Sequence, residues 1–154
     1  MSNQVNLIGS IMSSFIYSHT SYGEPFYSVT LSVKRDSGKV DLIPLLVSDR
    51  LIDVTKNYTG TYVYVRGEFR SYNQHDEDKS RLKLYVFVNS IESAEARNVN
   101  DVFLEGYVCK PPTYRYTPLG REIADVMLAV NRQYGKSDYI PCILWGRTAT
   151  MLSL

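Results

Sequence analysis

The sequence predicts an all-β protein made of two copies of one small five-stranded barrel, the second copy incomplete. Three observations support this fold class. Apolar residues alternate at period two through most of the chain, the chain repeats itself, and the first copy has one helical spacing between its third and fourth strands. A composition with 44% hydrophobic and 21% charged residues is typical of a soluble globular protein.

The repeat is read from matching residues that lie 97 positions apart without a gap. This spacing places Gly9 on Gly106 and Gly23 on Gly120, and it also places Arg35 on Arg132. Most of the matched positions are glycines, charges beside turns, or apolar residues two apart. These are the features that preserve a β framework.

The first copy contains five predicted strands and one predicted helix. The strands span residues 5–11, 26–35, 40–47, 61–72 and 80–91. Between the third and fourth strands, residues 49–58 place apolar side chains at helical spacing after a capping Ser48 or Asp49. Three strands, a helix and two strands are the order of an OB-fold, the small Greek-key barrel, rather than that of a sandwich.

The domain prediction has three parts. Residues 1–92 form the first OB-fold domain, residues 93–99 the linker, and residues 100–154 the second domain. The second copy supplies strands at 102–108, 122–130 and 138–145, and it begins a helix at Arg147. Because three strands alone would expose a sheet edge, we expect the chain to continue past Leu154 or another chain to cover this half.

Residues 100–147 resemble the first half of a bacterial single-stranded DNA-binding protein domain. The resemblance rests on a first strand ending in Leu104-x-Gly106, a proline-rich loop closing in TPLG, a strand ending LAVNR, and a third strand ending Trp145-Gly146. The resemblance implies non-catalytic binding of single-stranded DNA, with little sequence preference, in replication, recombination or repair. It also implies a homodimer that carries four OB domains.

A binder of single strands needs cations along a groove and aromatic rings on an open sheet face, on which bases stack. The resemblance implies that Tyr134, Tyr139 and Trp145 are the stacking residues. Basic and aromatic residues beside the turns of the second copy complete the predicted site: Arg115, Tyr116, Arg121, Arg132 and Lys136. The first copy lacks the stacking set and offers Tyr72 and Arg70, so we expect a weaker binder or an oligomerisation surface there.

Two other functions compete with DNA binding: a protein-binding module and a metal or catalytic role. An OB module that binds protein partners is favoured by the formal net charge of +1 and by the eroded first copy. A metal or catalytic role for the HDED stretch at 75–78 is less favoured than a solvated hairpin tip, and we expect no cofactor. Stacking does not distinguish DNA from RNA. The chain shows no long apolar run and no basic apolar leader, so we expect it in the cytoplasm without membrane attachment.

Overall fold

The computed structural model of the chain describes residues 3–151, which form two compact units. The first unit is Asn3–Phe103, and the second begins at Leu104. The elements of the described residues are β1 Asn3–Ile11, β2 Ile16–Ser21, β3 Glu24–Lys34, β4 Val40–Ser48, β5 Tyr62–Asp76, β6 Lys79–Ser93, β7 Val99–Leu104, β8 Tyr107–Val108, β9 Thr113–Tyr116, β10 Glu122–Asn131, β11 Ser137–Trp145 and α1 Arg147–Met151. No helix in this range is long and apolar enough to cross a membrane.

The first unit is a closed barrel. Its strands follow the order β3-β4-β6-β5-β1, and β3 pairs again with β1 to complete the ring. All of these contacts are antiparallel except β4 with β6, which run parallel through Leu45 and Val86. Alternate residues of the five strands point inward and form one buried cluster that includes Leu7, Leu31 and Val65. The predicted OB-fold is confirmed.

The helix predicted over residues 49–58 is not formed, and the segment is a series of turns. Short polar side chains bind the local backbone instead. Asp53 accepts hydrogen bonds from the Thr55 amide at 3.0 Å and hydroxyl at 2.6 Å, and Asn57 accepts one from the Thr59 amide at 3.0 Å. Leu51 still packs against the barrel core. The apolar spacing of this segment therefore indicated which side chains are buried, although no helix forms.

The second unit is a small antiparallel sheet with β10 at its centre. β11 pairs along one side of β10, and β8 and β9 share the other side. Ala149 of α1 is fully buried against Ala124 and Val126. Within the described part of the chain, this unit has no counterpart of β5 and β6.

The repeat inferred from the sequence is present in the backbone pairing. Leu31 pairs with Ile43 in the first unit, and Leu128 pairs with Ile140 at the equivalent positions of the second. A Cβ added to Gly9 would lie 2.3 Å from the carbonyl oxygen of Ser32. At the equivalent Gly106 it would lie 2.3 Å from the carbonyl oxygen of Ala129. Glycine is required at both sites because one strand crosses another at close range.

The unit boundary falls a few residues beyond the predicted one. β7 lies beside β1 at the edge of the first sheet, so residues 99–103 join the first unit instead of starting the second. The predicted strand over 102–108 is therefore divided into β7 and β8. β2 and β9 were not predicted, because both strands are short and have little apolar alternation.

Candidate nucleic-acid interface

One face of the second unit is open, and the strand register determines which side chains lie on it. Even-numbered residues of β10, such as Val126 and Val130, are buried on the inner face. Odd-numbered residues of β10 and β11 point the other way, because the two strands pair odd with odd. The outer side chains of β11 are exposed from Tyr139 to Trp145, and we call this side the open face.

Aromatic residues lie at both ends of the open face. Tyr139 is 45% exposed and sits beside Ala129, whose other neighbour is Tyr107 on β8. Trp145 is 47% exposed and sits beside Ile123, whose other neighbour is Arg115. The two predicted stacking residues are six positions apart along extended β11, a rise of about 20 Å.

Tyr107 belongs to this face but was not predicted. Its ring is 71% exposed and shares a cross-strand row with Tyr139 through Ala129. At the equivalent positions of the first unit, Ser10 pairs with Ser32. The row becomes apparent only when β8, β10 and β11 are aligned.

Arg121 contacts one of the predicted aromatic residues directly. Its guanidinium carbon lies 4.9 Å from the centroid of the Trp145 ring, a cation–π geometry. The TPLG turn sets this position, since Thr117 donates its amide to the Arg121 carbonyl at 2.8 Å and accepts the Arg121 amide at 3.0 Å. The turn thus places a cation beside an exposed ring.

Arg115 is paired with an acid on the open face. Its Nε donates to Asp125 Oδ2 at 2.6 Å and its Nη2 to Oδ1 at 3.2 Å. The hydrogen bond to Arg115 holds the pKa of Asp125 below its usual value, and the same bond raises the pKa of Arg115. Arg115, a predicted DNA contact, therefore already uses two of its N–H groups in hydrogen bonds to Asp125.

Tyr134 and Lys136 lie at the tip of the β10–β11 hairpin, and both are exposed. Tyr134 is 98% exposed and has a φ of 69°, a left-handed conformation that non-glycine residues rarely adopt. Gly135 follows with a φ of 84°, so the pair forms a tight turn of the type usually built from Asn-Gly. The turn projects the Tyr134 ring into solvent.

Two other predicted residues are placed differently. Arg132 makes two bonds to Asp138, at 2.7 and 2.6 Å, and its side chain is only 24% exposed. Tyr116 pairs with Glu122 and so lies on the opposite face of its hairpin from Arg115. The structure therefore gathers Tyr139, Trp145, Arg121 and Arg115 on one face but does not bring Tyr116 to it.

The two candidates of the first unit lie on the long β5–β6 hairpin. Tyr72 is 50% exposed, and its ring centroid lies 5.9 Å from that of Tyr85. The guanidinium carbon of Arg70 lies 3.9 Å from the centroid of the Phe87 ring, and Nη2 of Arg70 lies 3.7 Å from Oε2 of Glu68. Tyr72 and Tyr85 also line a groove of about 570 Å³ whose walls include Lys83, Pro44 and Leu46.

Comparison with known proteins assigns a family to the segment that carries the open face. The sequence model of the "Single-strand binding protein family" matches residues 99–153. Residues 99–153 of the chain are therefore similar to this family. The curated "Single-stranded DNA-binding protein B" of Bacillus subtilis is 41% identical over 61 residues, which are 36% of this chain and 54% of the relative. The chain spans about half the length of that relative, and 36% of the length of a Listeria innocua member.

Solved structures extend the likeness in fold to nearly the whole chain. The single-stranded DNA binding protein of Thermus aquaticus superposes with a TM-score of 0.76 at 23% identity, over 98% of this chain and 77% of that one. The N-terminal domain of PriB from Thermoanaerobacter tencongensis, described as dimeric, has a TM-score of 0.51 at 35% identity. The comparison covers 60% of this chain and 97% of that domain. The first likeness supports the fold of both units.

Proposed function

We propose that this protein binds single-stranded DNA without catalysis and with little sequence preference, through the open face of the second unit. The observation that carries the proposal is the row of exposed aromatic residues on that face, with Arg121 beside Trp145. A base presents a π-face whatever its identity, so stacking tolerates any sequence. The family of residues 99–153 supports the same ligand.

The electrostatic part of binding is local rather than global. The formal net charge of the whole chain is only +1, so long-range attraction to phosphates is weak. On and beside the open face, Arg121 and the exposed Lys136 supply positive charge, while Asp125 neutralises part of it. We therefore expect a shallow dependence of affinity on salt, corresponding to a few neutralised phosphates.

The first unit contributes a weaker second site in this proposal. Its groove carries the Tyr72–Tyr85 pair and Lys83, but the positions equivalent to Tyr139 and Trp145 hold Leu42 and the buried Ser48. Without those rings the groove offers fewer stacking surfaces than the open face. A homodimer, with two OB-fold units from each chain, would place several such sites on one strand. The dimeric state reported for the PriB domain supports that assembly.

The experiment that tests the function is a fluorescence titration with oligo-dT at two salt concentrations. Trp145 is the single tryptophan of the chain, so its emission reports on the open face. We expect saturable quenching that weakens at higher salt. A matched titration with oligo-rU measures the preference for DNA over RNA, and light scattering of the free protein measures the number of chains.

Site-directed variants locate the contact. Replacing Tyr139 by Ala should weaken binding by about 1–3 kcal/mol, the usual value of one stacked base. Replacing Leu42, the equivalent residue of the first unit, is the matched control and should have a smaller effect. A folded wild type that leaves oligo-dT unbound at low salt would contradict the proposal and favour a module that binds protein partners.

A further inference from the structure

Arg132 and Asp138 close the base of the β10–β11 hairpin with a two-pronged ion pair. Arg132 Nε donates to Asp138 Oδ2 at 2.7 Å, and Nη2 donates to Oδ1 at 2.6 Å. The backbone adds a third link, because the Arg132 amide donates to the Lys136 carbonyl at 2.7 Å. We call this arrangement the hairpin clamp. It joins the end of one strand to the start of the next across the turn that holds Tyr134.

The clamp lies on the other side of the sheet from the open face. Asp138 is paired with Val130 on the inner face, and its side chain is only 1% exposed. The next residue, Tyr139, points outward because successive strand residues alternate. A guanidinium held against a buried carboxylate at this point has its charge neutralised before any phosphate approaches. The geometry favours support of the hairpin over direct contact with DNA.

The first unit contains the same clamp without the aromatic residues. Arg35 donates to Asp41 at 2.8 and 2.7 Å, and its amide donates to the Lys39 carbonyl at 2.7 Å. The side chains there are more exposed, 58% and 27%, against 24% and 1% in the second unit. Ser37 stands where the second unit has Tyr134. The chain therefore provides an internal comparison in which the clamp is kept and the stacking residues are not.

We infer that Arg132 is a positioning residue for single-strand binding: through Asp138 it holds the hairpin that presents Tyr134 and Tyr139. This inference rests on the proposed function of the open face. Tyr134 has a left-handed backbone that the turn alone does not favour for tyrosine, so a fixed hairpin base is needed to hold it. A preformed arrangement of rings avoids the entropy of ordering them when DNA binds.

The test compares Arg132→Lys and Arg132→Gln with the matched variants Arg35→Lys and Arg35→Gln. Lysine keeps the charge but cannot form the two parallel bonds. For each folded protein, three quantities are measured: affinity for oligo-dT, its slope against salt, and amide hydrogen exchange of residues 132–139 without DNA. Arg132→Lys should weaken affinity by about five- to tenfold, less than or similar to the loss of one stack. The salt slope should stay unchanged, and exchange in the hairpin should accelerate. The Arg35 variants should change exchange only near residues 35–41.

Several results would overturn the inference. If Arg132→Lys binds like the wild type while Arg132→Gln lowers the salt slope by about one, the guanidinium contacts a phosphate directly. If the Arg132 and Arg35 variants weaken affinity equally, both pairs act only on overall stability. A wild type that does not bind oligo-dT contradicts the proposed function itself. In that case unchanged exchange in Arg132→Lys would also show that the clamp does not order the hairpin.

Discussion

The guanidinium of Arg121 lies over the ring of Trp145, 4.9 Å from its centroid, at one end of the open face. Arg121 directly precedes β10 and Trp145 ends β11, and the TPLG turn and the pairing of Ile123 with Trp145 bring them together. A cation–π contact at an exposed site is worth about 0.5–1 kcal/mol. One face of the indole ring therefore lies against a cation, and the residue as a whole is 47% exposed.

Replacing Arg121 by Gln should weaken binding of oligo-dT and lower the salt slope by about one, because a cation that faces the strand is removed. Arg121→Lys keeps the charge but loses the planar stack on Trp145. Its salt slope should therefore equal that of the wild type, and its affinity should lie between those of the wild type and Arg121→Gln. Fluorescence titration at several salt concentrations measures both. An unchanged slope in Arg121→Gln would show that this arginine supports Trp145 and does not meet a phosphate.

Replacing Asp125 by Asn should strengthen binding. The change removes a negative charge from the open face and releases the guanidinium of Arg115. We expect a salt slope steeper by about one and a higher affinity at low salt. Arg115→Gln in the same background should cancel the gain. If Asp125→Asn binds no better than the wild type, Arg115 does not face the strand.

The Arg115–Asp125 pair also predicts a pH dependence. The pKa of Asp125 is held below its ordinary value of 3.8 by the hydrogen bond from Arg115. A carboxyl group with a depressed pKa stabilises the fold above its unfolded pKa, and that contribution is lost as pH falls through the folded value. Between pH 5 and 8 the affinity of the wild type should therefore not change through Asp125. A rise in affinity on acidification within that range, absent in Asp125→Asn, would contradict this assignment.

Tyr134→Asn should stabilise the fold and weaken DNA binding. Asparagine adopts the left-handed conformation of this turn more readily than tyrosine, a gain of about 1 kcal/mol at most. Loss of the ring should remove up to one stack, about 1–3 kcal/mol. Tyr22 of the first unit is the matched control, since it has a φ of 50°, precedes Gly23 and is fully exposed. Tyr22→Asn should raise the thermal midpoint similarly and leave affinity unchanged, and an equal loss of affinity in both variants would contradict the assignment of Tyr134.

DNA should protect Cys109 from alkylation. The Cys109 amide donates to the Met127 carbonyl at 3.2 Å, which places this exposed residue beside the open face. Cys142 is half-buried on the inner face, and burial raises the pKa of its thiol, so it should react more slowly. Mass spectrometry after iodoacetamide treatment should show slower labelling of Cys109 when oligo-dT is present. Equal labelling with and without DNA would place the strand elsewhere.

Substitutions at two glycines should distinguish close strand crossing from turn conformation. At Gly9 any Cβ meets the Ser32 carbonyl oxygen, so Asn should destabilise the first unit at least as much as Ala, by about 1–3 kcal/mol or more. Gly38 has a φ of 92° in open space, so Asn should cost less than Ala there. Chemical denaturation measures both pairs. If Asn costs less than Ala at Gly9 as well as at Gly38, the close strand crossing is not what requires glycine at position 9.

The repeat, the period-two strands and the barrel order follow from the sequence alone. These depend on local patterns: Gly9 and Gly106, or Arg35 and Arg132, keep the same spacing because the same backbone must be built twice. The sequence also placed Tyr139 and Trp145 on one side of a strand, since that follows from their even separation. The helix over residues 49–58 was wrong because Asp53 and Asn57 bind nearby amides, a competition that apolar spacing does not reveal.

Which residues share the open face depends on the tertiary structure. Tyr107 joins Tyr139 because β8 and β11 pair on either side of β10, and Arg121 reaches Trp145 because the β10–β11 pairing brings the end of β11 beside the TPLG turn. The same pairings direct Arg132 to a buried carboxylate and separate Tyr116 from Arg115. Charge and aromaticity are properties of single residues, whereas the side of a sheet on which a residue lies depends on register. A shift of one residue reverses that side, so the face is fixed only when the strands are aligned.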